Sequence, residues 1–285
     1  MLPTPMLLEH RGVIRVFYTG CDDAGRGRPS YVDLDMNDPT HIVAACRRPL
    51  LETGIPGTFD DNGAVATSVV RAPDGRLFMY YVGFELGVST RYRLLTGLAI
   101  SEDDGESFVR ISSAPVLERS DAELFFRCGP HVLSEDGVFR MWYVAGSRWV
   151  DIDGKQMPEY RIVNAESADG IRWPTSGRVA IDITQPDEHG FGRPWVLRDR
   201  GRHVMYYSVR RKSFRAYRMG YAESDDGIHW KREDARLNLD TGPGDYDDDA
   251  IMYAAPIEIA GRLWCFYNGN DFGREGIALA VRESA

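Results

Sequence analysis

Cysteine is scarce in this 285-residue sequence: Cys21, Cys46, Cys128 and Cys265 stand far apart, with no Cys-x-x-Cys pair. That spacing argues against a zinc cluster and offers no disulfide framework, so each is expected as a packed free thiol. No apolar run approaches the ~20 residues a membrane helix needs. The opening MLPTPMLLEHRG has neither the basic nor the apolar region of a signal peptide. A cytoplasmic protein without a membrane partner is therefore expected. Positive charge is not in excess either. At a net charge of −9 the long-range field repels a polyanion, and nucleic acid is not expected as a partner. There is no P-loop, no dinucleotide-binding GxGxxG, no HExxH and no GxSxG, which disfavours nucleotide-dependent redox and phosphoryl-transfer chemistry. Neither a cofactor nor a metal is expected. The adjacent Asp247-Asp248-Asp249 would alternate faces along a strand and cannot all ligate one ion.

What the chain does have is a period. Aromatic strand cores recur as VFY ending at Tyr18, MYY at Tyr81, MWY at Tyr143, MYY at Tyr207 and CFY at Tyr267, at intervals of 63, 62, 64 and 60 residues. Three cores are followed by similar endings: Ser101 to Asp104-Gly105 and Phe108, Ser167 to Asp169-Gly170 and Trp173, Ser224 to Asp226-Gly227 and Trp230. The Asp-Gly pairs supply the positive φ of tight turns, and the aromatic three residues on can cover a strand end. Turns at Asp74-Gly75, Asp136-Gly137, Arg200-Gly201 and Gly261 precede four of the cores. Each unit reads as strand, turn, aromatic strand, loop, strand, turn. Units of this size cannot bury their own faces and must stack on neighbours, so the pattern predicts one all-β domain over residues 1–285, a five-bladed β-propeller.

In such a fold the starts of the first strands converge on one mouth of a central channel. Carboxylates precede four of the five first strands, in Phe59-Asp60-Asp61-Asn62-Gly63, the segment from Asp121 to Arg127, the segment from Asp187 to Arg193, and the segment from Asp245 to Asp249. Any one is commonly a solvated turn or cap, but carboxylates converging on one pocket shift one another's pKa values. That mixture of protonated and ionised groups serves acid/base work at a glycosidic bond. Asp61, Glu188 and Asp249 are the candidate acid/base carboxylates, with Asp60 as a tuning group. Arg127 and Arg193 are candidate anchors for an acidic sugar or sugar phosphate, because a planar guanidinium binds carboxylate or phosphate through two parallel bonds. Each arginine has an alternative use as the ion-pair partner of a nearby carboxylate such as Glu123 or Glu188. An unperturbed histidine titrates near neutrality, which makes His189 a candidate proton carrier. Trp149 and Tyr246 offer faces to a sugar ring, Asn268 and Asn270 either make tight turns or reach sugar hydroxyls, and Arg28 stands in a loop able to shape the pocket.

The Ser-x-Asp-Gly-x-x-Trp endings after aromatic cores resemble those of the five-bladed propeller glycosidases, namely the arabinanase and xylosidase group of glycoside hydrolase family 43 and the related invertases, levansucrases and mannoside phosphorylases. Ser101 to Phe108 also fits the turn-forming Asp-box of sialidases. Asp60-Asp61-Asn62-Gly63, Tyr80-Tyr81-Val82-Gly83-Phe84, Gly192-Arg193-Pro194 and Tyr267-Asn268-Gly269-Asn270 are similar to stretches of uncharacterised glycosidase-like proteins from bacterial polysaccharide or secondary-metabolite gene clusters. The resemblance implies an enzyme that cleaves or transfers a glycosidic bond of a glycoside or glycosylated small molecule. Its alternatives on the same scaffold are a phosphorylase, a glycosyltransferase or other sugar-tailoring enzyme, and an inert sugar-binding propeller. One departure is plain: those glycosidases draw carboxylates from the first strands of blades 1, 2 and 3, whereas blade 1 here begins Met1-Leu2-Pro3-Thr4-Pro5.

Overall fold

A computed structural model describes residues 2–213, 216–237 and 239–282. Among these residues nineteen strands fall into five antiparallel groups. The first holds β1 (Thr4–Leu8), β2 (Val13–Cys21), β3 (Gly27–Asp35) and β4 (Ile42–Ala45). The second holds β5 (Ala64–Arg71), β6 (Leu77–Leu86), β7 (Tyr92–Ser101) and β8 (Val109–Arg110). The third holds β9 (Phe126–Glu135), β10 (Val138–Ile152), β11 (Lys155–Ser167) and β12 (Arg178–Ile181). The fourth holds β13 (Glu188–Asp199), β14 (Arg202–Arg211), β15 (Tyr217–Ser224) and β16 (Lys231–Arg232). The fifth holds β17 (Met252–Ile259), β18 (Arg262–Asn268) and β19 (Ala278–Val281). The turns expected between first and second strands are present, with positive φ at Gly75, Asp136, Gly137, Arg200, Gly201, Ala260 and Gly261.

The first strands close a ring. β1 touches β5 and β17, β5 touches β9, β9 touches β13, and β13 touches β17. The molecule is an all-β propeller, and the pleat explains its aromatic cores. Successive side chains on a strand point to opposite faces, so a middle strand fills the gap on both sides of its group. Tyr81 packs with Phe17 and Tyr31 of the first group, while its neighbour Tyr80 packs with Met141 and Tyr143 of the third. Trp142 then reaches Met205 and Tyr207, Tyr206 reaches Ala254 and Cys265, and Ile14 and Val16 meet Phe266.

The repeated endings lock each group to the one before it. Ser101, Ser167 and Ser224 accept the backbone N–H groups of Gly105, Gly170 and Gly227 at 2.7, 3.0 and 2.8 Å, which holds each turn. The turn carbonyls then accept from the preceding group: Arg15 to Asp104 at 3.0 Å, Tyr80 to Gly170 at 2.6 Å and Trp142 to Gly227 at 3.0 Å. Phe108, Trp173 and Trp230 cover Phe17, Tyr80 and Trp142 edge-on, at centroid distances of 5.9, 6.1 and 6.0 Å. Among the described residues no helix is long and apolar enough to cross a membrane.

Candidate active site at the channel mouth

The carboxylates at equivalent positions ahead of the first strands have structural partners. Asp60 is 1% exposed, receives Arg110 Nε at 2.8 Å and the Thr58 hydroxyl at 3.0 Å. Glu188 is 2% exposed and takes the Arg232 fork on both oxygens, at 2.7 and 3.0 Å. Burial pushes its pKa up, but Arg232 outweighs burial and holds the carboxyl below its usual range. Glu123 pairs with Arg127 at 2.5 Å and accepts the Tyr143 hydroxyl at 2.8 Å. Three of the tyrosines that close the aromatic cores take carboxylate acceptors, two of them (Glu123 and Asp247) ahead of first strands. A buried hydroxyl needs an acceptor, and Tyr143 finds Glu123, Tyr207 finds Asp234 at 2.6 Å, and Tyr267 finds Asp247 at 2.9 Å. Asp61 and Asp249 differ. Half-buried Asp61 accepts, among the described residues, only neutral donors, the Gly57 N–H at 2.8 Å and the Asn62 amide at 2.5 Å. Asp249 is exposed, and no cation pairs with its carboxylate among the described residues.

Both candidate anchor arginines point into the fold. Arg127 spends its donors on Glu123, Tyr143 and the carbonyls of Glu118 and Pro174. Arg193, 3% exposed, donates to the carbonyls of Pro3, Thr67 and Tyr253 and to the Thr4 hydroxyl, and lies over the Trp195 ring at 4.5 Å. It therefore ties β13 to β1, β5 and β17 across the channel axis. Burial draws its pKa down to about 9, which still leaves it protonated at neutral pH. The other candidates scatter. Arg28 pairs with Asp22 and Glu52. Asn270 caps a turn, its Oδ1 accepting from Asp249 and Ala250 and its amide donating to Asp245 and Asp248. Asn268 donates to the Phe272 carbonyl, and Tyr246 to that of Gly276 while its ring meets Tyr267.

His189 and Trp149 stand where the mouth is built. β10 and β11 are the longest strands and outrun their neighbours as a hairpin arm beyond the bulge between Ala145 and Arg148. Trp149 on this arm packs on Tyr92, Phe125 and Phe126, with its indole nitrogen buried and unbonded. Tyr160 at the arm's base faces Tyr217, with 3.5 Å between hydroxyls, and Tyr217 lies against Tyr253 with centroids 5.5 Å apart. Tyr253 sits at φ 57°, left-handed backbone that a bulky aromatic residue rarely adopts, where β17 bulges between Met252 and Ala255. Burial pushes the phenols of Tyr92 and Tyr253 up to about 12, so both are protonated donors at neutral pH. Arg210, half-buried, donates to Tyr160 at 3.3 Å and lies over the Tyr217 ring at 4.9 Å; no carboxylate pairs with it among the described residues.

Two clefts flank this cluster. The larger, about 380 Å3, is lined by Glu123, Arg148, Glu159 and Arg161 among others. Its charges are already matched, Arg148 with Glu159, Arg161 with Asp182 and Glu123 with Arg127. The smaller, about 160 Å3, is lined by Arg91, Lys155, Arg210, Arg211, Lys212 and His189 against one carboxylate, Asp153. His189 bonds the Pro158 carbonyl at 3.1 Å, and burial holds its pKa below the ordinary value. Arg91, Lys155 and Arg210 have no carboxylate partner among the described residues, which sets the smaller cleft apart from the larger. Sequence reasoning passed over it, although Arg210-Arg211-Lys212 is legible in a chain with three lysines. The four tyrosines lie outside the repeated cores and carry no local motif.

No family model matches the chain. The uncharacterized protein Rv1502 of Mycobacterium tuberculosis is 33% identical over 283 residues, covering 99% of this chain and 92% of the relative. Among solved structures, one described as a glycoside hydrolase superposes with a TM-score of 0.77 at 19% identity, covering 99% of this chain and 87% of its own. A thermostable family-43 glycoside hydrolase gives 0.71 at 15%, covering 99% and 92%. An endo-arabinase from Bacteroides thetaiotaomicron gives 0.68 at 13%, covering 99% and 94%. The chain thus belongs to the same family as the M. tuberculosis protein Rv1502, built on the propeller fold of the family-43 glycoside hydrolases.

Proposed function

We propose that this chain is a carbohydrate-active enzyme that cleaves or transfers a glycosidic bond at the mouth of a five-bladed propeller, each strand group being one blade. The observation that carries the reading is Arg210, a half-buried cation without a carboxylate partner among the described residues, set among Tyr160, Tyr217 and Tyr253. A guanidinium left without a counter-ion is costly to bury, and such groups cluster where a ligand supplies the missing interaction. Tyrosine faces and hydroxyls around it suit a sugar, which is apolar on its ring faces and polar at its rim. The glycoside hydrolases that share the fold support the same class by analogy. Asp61, and after it Asp249, is assigned the proton transfer, because each lacks the neutralising arginine that holds Asp60 and Glu188. The cysteines are free thiols, in keeping with a cytoplasmic location.

Transfer to an acceptor other than water is the second reading, because the same two carboxylate roles, acid and nucleophile or base, serve either acceptor. A panel of glycosides, assayed with and without added acceptors, separates the two. Asp61→Asn is expected to lower kcat about a hundredfold or more while circular dichroism and melting stay as in the wild type. Full turnover by a folded Asp61→Asn variant would falsify the assignment.

A further inference from the structure

The basic cleft beside the tyrosines holds more positive charge than a neutral sugar can use. Arg91, Lys155, Arg210, Arg211 and Lys212 line it against Asp153 alone, and two of the chain's three lysines are there, in a molecule of net charge −9. Most arginines elsewhere are matched to carboxylates, as Arg15 is to Asp33, Arg110 to Asp60, Arg127 to Glu123 and Arg232 to Glu188. Three of the cleft's cations have neutral partners, while Asp187, outside the lining, is close enough to Arg211 and Lys212 for each to lower its pKa. Lys212 donates to the Pro186 carbonyl at 2.7 Å, Arg210 to a phenol, and Arg91 lies over the Tyr92 ring at 5.6 Å. Arg91 and Lys155 have no carboxylate partner among the described residues.

We infer that this cleft is a subsite for a phosphoryl group held next to the carbohydrate at the mouth; only the neighbouring sugar rests on the functional reading above. Size sets the first limit. At about 160 Å3 the cleft is below the ~300 Å3 at which whole-ligand pockets begin, so it takes a group and not a complete ligand. Charge sets the second. A single carboxylate is satisfied by one guanidinium fork, whereas a phosphoryl group carries about −1.5 to −2 and three acceptor oxygens, which calls for several cations arranged around it. Arg210 borders both spaces, lining the cleft and touching Tyr160 and Tyr217, so phosphoryl group and sugar would share it. Arg127 and Arg193, the arginines singled out in the sequence for such a ligand, are committed to the scaffold. The group arrives either attached to the sugar or as free phosphate.

Calorimetric titration of the full-length protein with inorganic phosphate, in a phosphate-free buffer of low ionic strength, tests the subsite. The wild type is expected to bind saturably. Arg91→Gln/Lys155→Gln, which alters two exposed side chains, is expected to bind about tenfold more weakly with unchanged melting. Absence of saturable binding to the wild type, or equal affinity in the double variant, overturns the inference. A hexose 1-phosphate that binds more tightly than free phosphate identifies the attached source; a neutral glycoside whose binding or turnover rises with free phosphate identifies the other. Neither arm depends on Asp61. If phosphate binds and no glycoside is turned over, the reaction fails and the subsite stands. If Asp61-dependent turnover is found without phosphate binding, the subsite alone fails.

Discussion

Arg193 shows how a residue legible in sequence can carry a meaning that only its surroundings reveal. Its place at the start of an inner strand is readable from the repeat, but the direction of its guanidinium depends on backbone carbonyls contributed by Pro3, Thr67 and Tyr253. Replacement by methionine leaves those buried acceptors short of donors, each at about 1–3 kcal/mol. Arg193→Met is therefore expected to lose on the order of 4 kcal/mol, read as a lower urea midpoint; a wild-type midpoint would mean that the arginine serves a ligand instead. Glu106 offers a pH test at the same scale. Burial raises its pKa, but the Tyr31 hydroxyl with Arg15 and Arg11 outweighs this and holds it at about 2, against 4.5 ordinarily. A folded-state pKa below the unfolded one gives stability that is complete above about pH 4.5 and disappears as pH falls toward 2. The pH dependence of unfolding should be shallower in Glu106→Gln than in the wild type within that window and parallel to it above.

At the scale of the element the sequence was most informative, because period and pleat are local. The aromatic cores, the Asp-Gly turns and the Ser-x-Asp endings fall where the spacing places them, and the alternation of Tyr80 and Tyr81 between neighbouring groups follows from strand geometry. The use of the ending as a latch was not legible, since its donors lie 85 to 90 residues away in the chain. Tyr80→Phe removes one such donor without changing the packing of its ring. Because Gly170 keeps a second donor in the Trp173 indole at 3.2 Å, the expected cost is about 1 kcal/mol by urea denaturation. A loss of more than about 3 kcal/mol would show that ring packing moves with the hydroxyl. The hairpin arm was equally hidden. Its length follows from where β10 and β11 stop pairing, and its inward face is read only against Tyr92 and Phe126 of other elements.

For the whole molecule, recurrence pointed to the architecture and did not single out the basic cleft. Some carboxylates ahead of the first strands serve the scaffold, Glu123 and Asp247 as acceptors for core tyrosines, whereas the mouth breaks the repeat: four tyrosines and a basic cleft come from unlike places in unlike groups. Net charge hid the cleft because it is a sum over the surface. Ring closure itself is testable. β1 stands between β5 and β17, and removal of residues 1–8 takes away that link together with two of Arg193's four acceptor residues. Calorimetry of the shortened chain is expected to show no cooperative unfolding transition; a sharp transition of ordinary enthalpy would show that the ring is dispensable. The same arginine has one more effect. By bonding Pro3, Thr4, Thr67 and Tyr253 from β13 it pins four of the five inner strands to one guanidinium. Loss of that one side chain would free four inner strands to shift against one another, so a change at the centre would be felt on every wall they support.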